Sequence, residues 1–236
     1  AGFIGSHLAE ALVAQGHRVA VFDSLDPQVH GKGRGRIIPG TTFRKGDVRN
    51  ATALARVARD ADAVVHFAAA VGVGQSQYQI RHYVDVNLTG TATLLEVLAG
   101  RKRKLKKLIV AGSMSSYGEG AYTCRTCGRV RPPLRVEASE GWDPPCPQCG
   151  LRLTPAPTRE TDRFVCNSIY AVTKMGQEEL VMNFGVAYGI PVTTLRFFNI
   201  YGPHQSLSNP YTGVAAIFIS RVKNGHPPMV YEDGNQ

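Results

Sequence analysis

A tyrosine and a lysine four positions apart, Tyr170 and Lys174, are the residues of this chain whose types and spacing most directly suggest chemistry. On a helix, residues four apart lie one above the other. A free phenol has a pKa of about 10 and is a poor base at neutral pH, but a neighbouring ammonium favours the phenolate. The pair could therefore take a proton from an alcohol. The spacing alone is weak evidence, because many helices carry it by chance.

Two glycines near the start of the chain have the spacing of a dinucleotide-binding loop. Gly2 and Gly5 match the second and third glycines of a G-x-x-G-x-x-G fingerprint, in which a helix N-terminus offers N–H groups to a pyrophosphate. Asp23 lies where a carboxylate can bind ribose hydroxyls. Its charge would repel a 2′-phosphate and favours NAD, although Arg34 and Arg36 in the next loop could accommodate one. Standing alone, the glycines would also fit a plain helix-entry turn.

Four cysteines form two Cys-x-x-Cys pairs, Cys124 with Cys127 and Cys146 with Cys149, separated by 18 residues. This spacing predicts a tetrahedral zinc site. Four sulfur ligands leave no open position on the metal, so the zinc would be structural. A pair of disulfides is the competing interpretation, which a cytoplasmic location disfavours, and a redox pair is a weaker one. The fifth cysteine, Cys166, is expected to be a small packing residue.

Composition and charge limit the function classes. The chain has 236 residues, 43% of them hydrophobic, and a formal charge of +9. No apolar run approaches the roughly 18 residues of a membrane span, and no signal peptide is recognisable, so the cytoplasm is the expected location. The basic cluster at residues 101–107 precedes an apolar run and is expected to be a solvated helix end rather than a nucleic-acid surface. The surplus positive charge also suits a diphosphate-bearing substrate.

Alternating strand and helix patterns predict a Rossmann-like α/β fold, a doubly wound parallel sheet with helices on both faces. Residues 24–41 are expected to form a loop. Residues 119–166, with little strand or helix period, are expected to form a zinc-ribbon insertion between a strand and the next helix. Expected strands are 18–23, 42–45, 63–68, 108–111 and 192–198, and expected helices are 2–15, 87–98, one containing Tyr170, and 212–223.

Both ends of the sequence suggest a longer natural protein. The chain begins inside the glycine motif, and in a doubly wound sheet the first strand lies in the middle. Without that strand, its neighbours would leave buried backbone groups unpaired. We therefore expect the natural protein to begin before Ala1 and to continue past Gln236, with residues 1–236 forming a dinucleotide-binding domain truncated at both ends.

Together these motifs resemble the extended short-chain dehydrogenase/reductase family, and within it the nucleotide-sugar epimerases and dehydratases. The matching segments occur in family order and cover nearly the whole chain. They are Gly2 to His7, His66 to Ala69, Asn87 to Thr91, Ser113 to Gly118, Tyr170 to Lys174 and Leu195 to Pro203. The resemblance also implies a C-terminal substrate domain, most of which this chain lacks.

The resemblance implies an active site of Ser113, Tyr170 and Lys174. Ser113 would donate a hydrogen bond to the substrate oxygen, Tyr170 would accept its proton, and Lys174 would lower the pKa of Tyr170 and bind the nicotinamide ribose. Tyr83 and Asn87 resemble helix positions near this site, with structural packing as an equal alternative. The implied NAD contacts are Gly2, Phe3, Ile4, Gly5, Asp23, Asp47 (toward the adenine), Val48, Phe67, Ala68, Ala69, Asn87, Tyr170 and Lys174, and the implied substrate contacts are Ser113, Met114, Ser115 and Asn199.

One departure from the family pattern bears on the reaction. Dehydratases that resemble this chain carry Asp-Glu after the Ser or Thr, whereas this chain carries Met114 and Ser115. Neither can act as the acid and base of an elimination. The resemblance therefore implies NAD-dependent epimerisation of a nucleotide-linked sugar, most simply at C4. The alternatives are a nucleotide-sugar reductase and a non-catalytic module whose arginine-rich zinc ribbon binds nucleic acid.

Three stretches narrow the resemblance further, to the dTDP-L-rhamnose 4-epimerases. They are residues 69–76, the cysteine pairs after Gly118, and residues 205–216. This subgroup implies conversion of dTDP-L-rhamnose to dTDP-6-deoxy-L-talose. Relatives in the family commonly pair through two helices into a four-helix bundle, which implies a homodimer formed by the helices that contain Asn87 and Tyr170.

Overall fold

The computed structural model describes residues 1–31, 35–135, 143–205 and 213–230. Within these residues the strands are β1 (Ala20–Asp23), β2 (Thr42–Lys45), β3 (Ala63–His66), β4 (Lys107–Ser113), β5 (Ala121–Cys124), β6 (Gly128–Val130), β7 (Thr154–Ala156) and β8 (Val192–Phe197). The α-helices are α1 (Phe3–Ala14), α2 (Pro27–His30), α3 (Ala51–Ala58), α4 (Val73–Ser76), α5 (Ile80–Tyr83), α6 (Gly90–Ala99), α7 (Ile169–Tyr188) and α8 (Val214–Lys223). A π-helical turn spans Val84–Thr89 and a 3-10 turn spans Met114–Tyr117.

The predicted parallel α/β architecture is confirmed. β1 pairs with β2, and β3, β4 and β8 form a second sheet in that order, with every pair parallel. Helices connect the strands, as parallel pairing requires. Because β4 and β8 run side by side with Ser113 opposite Phe197, the residues that follow these strands meet at one edge of the sheet. That edge is where such folds bind ligands.

The main hydrophobic core lies between the three-stranded sheet and helices α6 and α7. Leu108 and Val110 on β4 are completely or almost completely buried. They belong to one apolar cluster with Leu94 of α6 and with Val181 and Phe184 of α7. Burying a side chain of this size stabilises a fold by about 1.5–3 kcal/mol. This packing fixes α7, which carries Tyr170 and Lys174, against the strand that ends at Ser113.

Three sequence expectations are corrected by the structure. The helix expected from Asn87 begins earlier, because α5, the π-helical turn and α6 follow one another without a break. The cysteine-containing insertion, in which little regular structure was expected, contains an antiparallel sheet of order β6-β5-β7. Its strands have three or four residues, too few to produce a recognisable alternation. The loop expected at 24–41 also contains α2, which Asp26 caps through a hydrogen bond to the Gln28 N–H.

In the part of the chain that the structure describes, no helix combines the length and the apolar character needed to cross a bilayer.

Candidate active site and cysteine cluster

Helix α7 begins at the position that brings Tyr170 to the sheet edge. Ser168 is its N-cap, and the Ser168 hydroxyl accepts a hydrogen bond from the Ala171 N–H at 3.1 Å. The Tyr170 N–H, which the helix itself cannot satisfy, donates to the Ser76 hydroxyl at 3.0 Å. Ser76 lies in α4, far away in sequence. Two hydroxyls thus fix the first turn of α7, and the sequence analysis identified neither of them.

Tyr170 and Ser113 meet at the carboxyl end of β4. The Ser113 hydroxyl lies close enough to the Tyr170 phenol to lower its pKa, and the Ser113 oxygen accepts from the Ser115 N–H at 3.2 Å. Burial raises the pKa of Tyr170, and the Ser113 hydroxyl offsets only part of that rise. That Lys174 lowers this pKa stays a prediction. The two groups do lie together, as the resemblance implied.

Lys174 is almost fully buried, and its ammonium group binds a residue that the sequence analysis did not consider. The Nζ atom donates to the Gln177 Oε1 atom at 2.6 Å. Burial lowers the pKa of Lys174 to about 8, since the charged form loses its hydration. At neutral pH the side chain is still mostly an ammonium, and it sits one helical turn from the Tyr170 phenol.

Asn87 is completely buried, and its side chain forms hydrogen bonds inside the protein instead of facing an open cleft. Its side-chain oxygen accepts from the Ala70 N–H at 2.8 Å, and its amide nitrogen donates to the Ala70 carbonyl at 3.1 Å and to the Thr173 hydroxyl at 2.9 Å. Tyr83 is also buried, with its phenol donating to the Val71 carbonyl at 3.0 Å. For both side chains the structure favours packing, the alternative that the sequence left open. Asn87 fixes the loop that follows β3.

The start of α1 and the end of β1 fit the pyrophosphate and ribose of a dinucleotide. Gly2 is the N-cap of α1 and provides no side-chain cap, so the first-turn N–H groups stay available to an anion. A Cβ atom built on Gly2 or Gly5 would meet nothing within 4 Å, so the space beside this turn is open. Asp23 lies at the carboxyl end of β1, where a ribose-binding carboxylate is expected.

A backbone N–H and an imidazole ring contact the Asp23 carboxylate. It accepts from the Leu25 N–H at 2.8 Å, and the His30 ring lies 3.3 Å away. Burial acts to raise the pKa of Asp23, whereas the Leu25 hydrogen bond and His30 act to lower it. Of the two competing arginines, Arg36 binds Glu10 at 2.9 Å, and Arg34 lies outside the described residues.

The remaining predicted cofactor residues line the same sheet edge or pack beneath it. Asp47, after β2, is bound by the Arg49 guanidinium at 2.6 Å, whose hydrogen bond lowers its pKa. Val48 is buried, and a Cβ on Gly90 would approach it to 2.6 Å. Phe67 packs edge-on against Phe197 at 5.8 Å between ring centres. Phe3 and Ile4 lie in the first turn of α1, and Ala68 and Ala69 lie in the loop after β3.

The predicted substrate residues also lie at this edge. Met114 and Ser115 begin the 3-10 turn directly after Ser113 and are half-buried. Asn199 is exposed, two positions after β8 ends. Because Ser113 and Phe197 are opposite each other in adjacent strands, Asn199 lies on the same side of the sheet as the Ser113 hydroxyl. Part of the stretch at 205–216, residues 206–212, lies outside the described residues.

The four paired cysteines converge. Their sulfur atoms all lie within 4.8 Å of one another, and the Cys124 and Cys149 sulfurs are 3.5 Å apart. A disulfide needs about 2.05 Å, and the cysteines are free thiols, so the disulfide alternative is not what the structure has. Tetrahedral zinc with Zn–S bonds of about 2.3 Å places sulfurs roughly 3.8 Å apart. The cluster fits that geometry.

The protonation of the thiols also fits a cation. Backbone N–H groups of Cys127 and Thr126 lower the pKa of Cys124 to about 6. A hydrogen bond with Cys149, burial and the charge on Cys124 raise the pKa of Cys127 to about 12. A metal ion would remove this mutual repulsion, because thiolates are the ligand form.

The insertion is attached to the turn that follows Ser113. The Val165 N–H donates to the Ser116 carbonyl at 2.9 Å, and the Arg131 guanidinium donates to the Tyr117 carbonyl at 2.7 Å. Arg196 of β8 adds a second connection, since it donates at 2.6 Å to the Tyr117 phenol and at 2.6 Å to the Glu160 carbonyl. The cysteine segment thus borders the candidate active site, which the sequence could only suggest.

A family model described as the NAD dependent epimerase/dehydratase family matches residues 1–135 and 150–236. The gap falls within the cysteine insertion. Among curated proteins, the chain is 32% identical to a dTDP-L-rhamnose 4-epimerase of Burkholderia thailandensis, with 100% of this chain and 65% of that protein covered. It is also 32% identical to a UDP-N-acetyl-alpha-D-glucosaminuronate decarboxylase of Bacillus cytotoxicus, with 100% and 63% covered. The chain therefore spans less than two thirds of the length of these relatives.

Solved structures of nucleotide-sugar 4-epimerases are also similar to this chain. A UDP-N-acetylglucosamine 4-epimerase from Methanobrevibacter ruminantium in complex with UDP-N-acetylmuramic acid superposes with a TM-score of 0.76 at 28% identity, covering 100% of this chain and 64% of that one. A UDP-glucuronic acid 4-epimerase from Bacillus cereus in complex with UDP-glucuronic acid and NAD gives 0.74 at 26%, covering 100% and 64%. A UDP-glucose 4-epimerase from Thermus thermophilus in complex with NAD gives 0.72 at 29%, covering 98% and 62%.

Proposed function

The chain belongs to the NAD dependent epimerase/dehydratase family, and we propose that the protein of which it forms part epimerises a nucleotide-linked sugar at C4 with bound NAD. One observation carries the proposal. The Ser113 hydroxyl and the Tyr170 phenol lie together at the carboxyl end of β4, and Lys174 lies one turn after Tyr170 on α7. The NAD complexes of two structural relatives support the choice of cofactor.

In the proposed reaction, Tyr170 is the base and Ser113 is the hydrogen-bond donor. Tyr170 takes the proton from the C4 hydroxyl, and Ser113 donates to the oxygen that becomes the carbonyl. Bound NAD would supply the hydride acceptor for oxidation at C4 and the hydride donor for the return to the opposite face of the ring. On the return step Tyr170 gives the proton back to the C4 oxygen, so no net oxidation occurs. General acid–base catalysis of this kind contributes about 10²- to 10⁴-fold to a rate.

The raised pKa of Tyr170 makes the neighbouring charge essential to the proposal. Without compensation a buried phenol stays protonated at neutral pH. Lys174 is still an ammonium below its pKa of about 8, so it stabilises a phenolate once a polar ligand enters the site. Gly2, Gly5 and Asp23 would hold the pyrophosphate and the adenosine ribose of NAD.

Epimerisation is favoured over dehydration because of the two residues after Ser113. Met114 has no ionisable group, and the Ser115 N–H is engaged with the Ser113 hydroxyl. Elimination of water needs a carboxyl acid and base at this place in the resembling dehydratases, and neither side chain supplies one.

For the substrate, we propose dTDP-L-rhamnose, supported by the 32% identity to the Burkholderia thailandensis enzyme. The test uses the full-length protein with dTDP-L-rhamnose and NAD, and it follows the C4 proton of the sugar by NMR and NADH by absorbance. The expected result is the talo isomer without net NADH. Tyr170→Phe is expected to lower kcat by about 10²- to 10⁴-fold, whereas Tyr78→Phe, an exposed tyrosine, serves as the matched control. Turnover of UDP-sugars alone would reject the dTDP substrate and keep the 4-epimerase. NADH accumulation would reject epimerisation.

We further propose that Cys124, Cys127, Cys146 and Cys149 bind a structural zinc ion. Its support is the convergence of the four sulfurs within 4.8 Å. The metal would stabilise the small sheet of β5, β6 and β7, whose apolar cluster includes only the cysteines and a few other side chains.

We also propose a homodimer formed by α6 and α7. An apolar hollow on their outer face is lined by Leu88, Gly176, Glu179, Leu180 and Asn183. Val172 and Leu180 are exposed on the same helix. An apolar face of this kind on two adjacent helices is suited to pair with a second copy by twofold symmetry.

A further inference from the structure

A chain of fully buried polar groups lies behind Lys174, on the side away from the sheet edge. Gln177 receives the Lys174 ammonium on its Oε1 atom at 2.6 Å and donates from its Nε2 atom to the Thr91 hydroxyl at 2.6 Å. The Thr91 hydroxyl donates to the Asn87 carbonyl at 2.6 Å, and the His66 Nε2 atom lies 2.9 Å from the Thr91 oxygen. All of these side chains are at least nine-tenths buried. The proposed catalytic groups use none of them directly except Lys174.

Hydrogen-bond counting fixes the direction of every bond in this chain. The Asn87 carbonyl can only accept, so the one hydroxyl proton of Thr91 must point toward it. The two lone pairs of Thr91 then accept from its other neighbours, which are the Gln177 amide nitrogen and the protonated Nε2 of His66. The opposite orientation of the amide would place an oxygen against an oxygen at Thr91 and an NH₂ group against an ammonium at Lys174. Thr91 therefore determines that Gln177 presents its oxygen to Lys174.

We propose that Gln177, oriented by Thr91, is the positioning residue that holds the Lys174 ammonium in the active site. Among the described residues, Gln177 provides the hydrogen-bond acceptor for Nζ. A buried ammonium without an acceptor would lose its proton or move toward solvent. A neutral amide accepts the hydrogen bond without forming a permanent ion pair. The ammonium thus keeps two N–H groups for the Tyr170 oxygen and a bound ligand.

The titratable groups around Lys174 do not compete with it near neutral pH. His66, on β3, has its pKa lowered to about 3 by burial and by the Lys174 charge, so it is neutral. Tyr170, on the same helix, has a raised pKa. Glu178, the next residue after Gln177, points to Arg196 at 2.6 Å. Lys174 is thus the group whose protonation changes near pH 8.

The contact is tested first without substrate. In full-length protein labelled with ¹³Cε-lysine, the Lys174 resonance is assigned by its loss in Lys174→Arg and titrated from pH 6 to 10. Wild type is expected to titrate near 8. Gln177→Met, which removes the acceptor at similar volume, is expected to lower the midpoint by about one unit or more, and Gln177→Glu to raise it. Equal midpoints in wild type and Gln177→Met would overturn the proposal.

The orienting role of Thr91 has its own matched pair. Thr91→Val removes the hydroxyl that orients the amide and is expected to lower the Lys174 midpoint. Thr91→Ser keeps the hydroxyl and is expected to leave the Lys174 midpoint within about 0.2 pH units of the wild-type value. Such a difference is small beside the spread of about one pKa unit that folded proteins show. This pair remains decisive if Gln177→Met does not fold. An unchanged midpoint in Thr91→Val would overturn the orienting role.

The role in turnover rests on the proposed function and is measured separately. In the pH profile of kcat, the alkaline limb is expected to move to lower pH in Gln177→Met and to higher pH in Gln177→Glu. KM is expected to change by less than about twofold in both variants. A uniform loss of kcat at every pH in both variants would indicate a structural role only and would overturn the positioning role. If no nucleotide sugar is turned over, the proposed function fails while the lysine titration still decides the contact.

Discussion

At the scale of single residues, the candidate site depends on neutral groups around one buried charge. Lys174 has an amide as its partner, and the nearest histidine is neutral. The buried carboxylate on this helix, Glu178, instead binds Arg196 of β8. This separation keeps the lysine charge uncompensated and available to a phenolate or a ligand. It also makes the protein sensitive to acid, because His66 cannot take up a proton while folded.

We predict that the free energy of unfolding falls as the pH decreases from about 6.5 toward 3. The folded-state pKa of His66 is about 3, whereas an unfolded histidine titrates near 6.5. Between these values the unfolded chain binds the extra proton, so stability present above pH 6.5 is lost, by at most about 1.4 kcal/mol per pH unit.

Urea denaturation at pH 7 and pH 5 measures this slope. His66→Gln keeps a donor for Thr91 but does not titrate, and it is expected to have a smaller pH dependence than wild type. His17→Gln changes an exposed histidine and serves as the control. A slope in His66→Gln equal to that of wild type would contradict the prediction.

At the scale of elements, α7 contains both residues of the candidate active site and residues of the hydrophobic core. Its buried positions include Tyr170 and Lys174 in the first half and Val181 and Phe184 in the second. Gly185, near its end, allows close approach to β8. A Cβ atom at Gly185 would lie 2.5 Å from the Val192 Cγ2 atom and 2.9 Å from the Ile190 carbonyl oxygen. The helix can therefore pack against the sheet only with glycine at this place.

We predict that Gly185→Ala destabilises the protein by about 1–3 kcal/mol, because the carbonyl that the methyl group meets is backbone and cannot rotate away. Gly176→Ala is the matched control on the same helix. There the Cβ would meet only the tip of the Leu88 side chain, which can turn, and alanine favours a helix by about 1 kcal/mol. Thermal melts of both variants measure the difference. Equal melting temperatures would argue against the close contact at Gly185.

The cysteine insertion is the second element that affects the site. We predict that Cys149→Ser lowers the bound zinc from about one ion per chain and increases hydrogen exchange at the amides of residues 116–118. The reason is that the insertion binds the Ser116 and Tyr117 carbonyls, and a loosened insertion would release them.

The matched control for the cysteine prediction is Cys166→Ser, which removes a thiol outside the four-sulfur cluster. It is expected to keep the zinc. Metal content by plasma emission spectrometry and exchange by mass spectrometry give the two measurements. Full zinc loading in Cys149→Ser would contradict a four-sulfur site. Unchanged hydrogen exchange at residues 116–118 would mean that the metal does not order this turn.

At the scale of the whole molecule, the proposed dimer would place a second copy on α6 and on α7, the helix with the proposed catalytic residues Tyr170 and Lys174. Tyr170 and Lys174 face the sheet, while Val172 and Leu180 face outward. Pairing through the outer face would therefore bury apolar side chains without closing the sheet edge.

We predict that Leu180→Asp makes the full-length protein monomeric, because a carboxylate in an apolar interface loses its hydration. Light scattering after size-exclusion chromatography measures the mass. Val186→Asp is the control, since Val186 is 85% exposed on the same helix and lies away from the hollow. A dimer that persists in Leu180→Asp, or a monomeric wild type, would exclude this interface.

The sequence alone determined the parallel α/β fold, the family and the grouping of Ser113 with Tyr170. The fold follows from the strand and helix periods, whereas the family and the grouping of Ser113 with Tyr170 follow from the resemblance of the motifs to known proteins. It also predicted the convergence of the four cysteines, because a Cys-x-x-Cys turn brings two sulfurs together over a short distance.

Only the tertiary structure decided what surrounds those groups. The raised pKa of Tyr170 comes from burial by distant segments, and the Gln177 amide that binds Lys174 also contacts Thr91 and His66, which lie on two other elements. The short strands of the insertion and the packing role of Asn87 also follow from contacts across the chain. Desolvation and hydrogen-bond direction depend on which groups meet in space, and residue spacing along one segment does not contain that information.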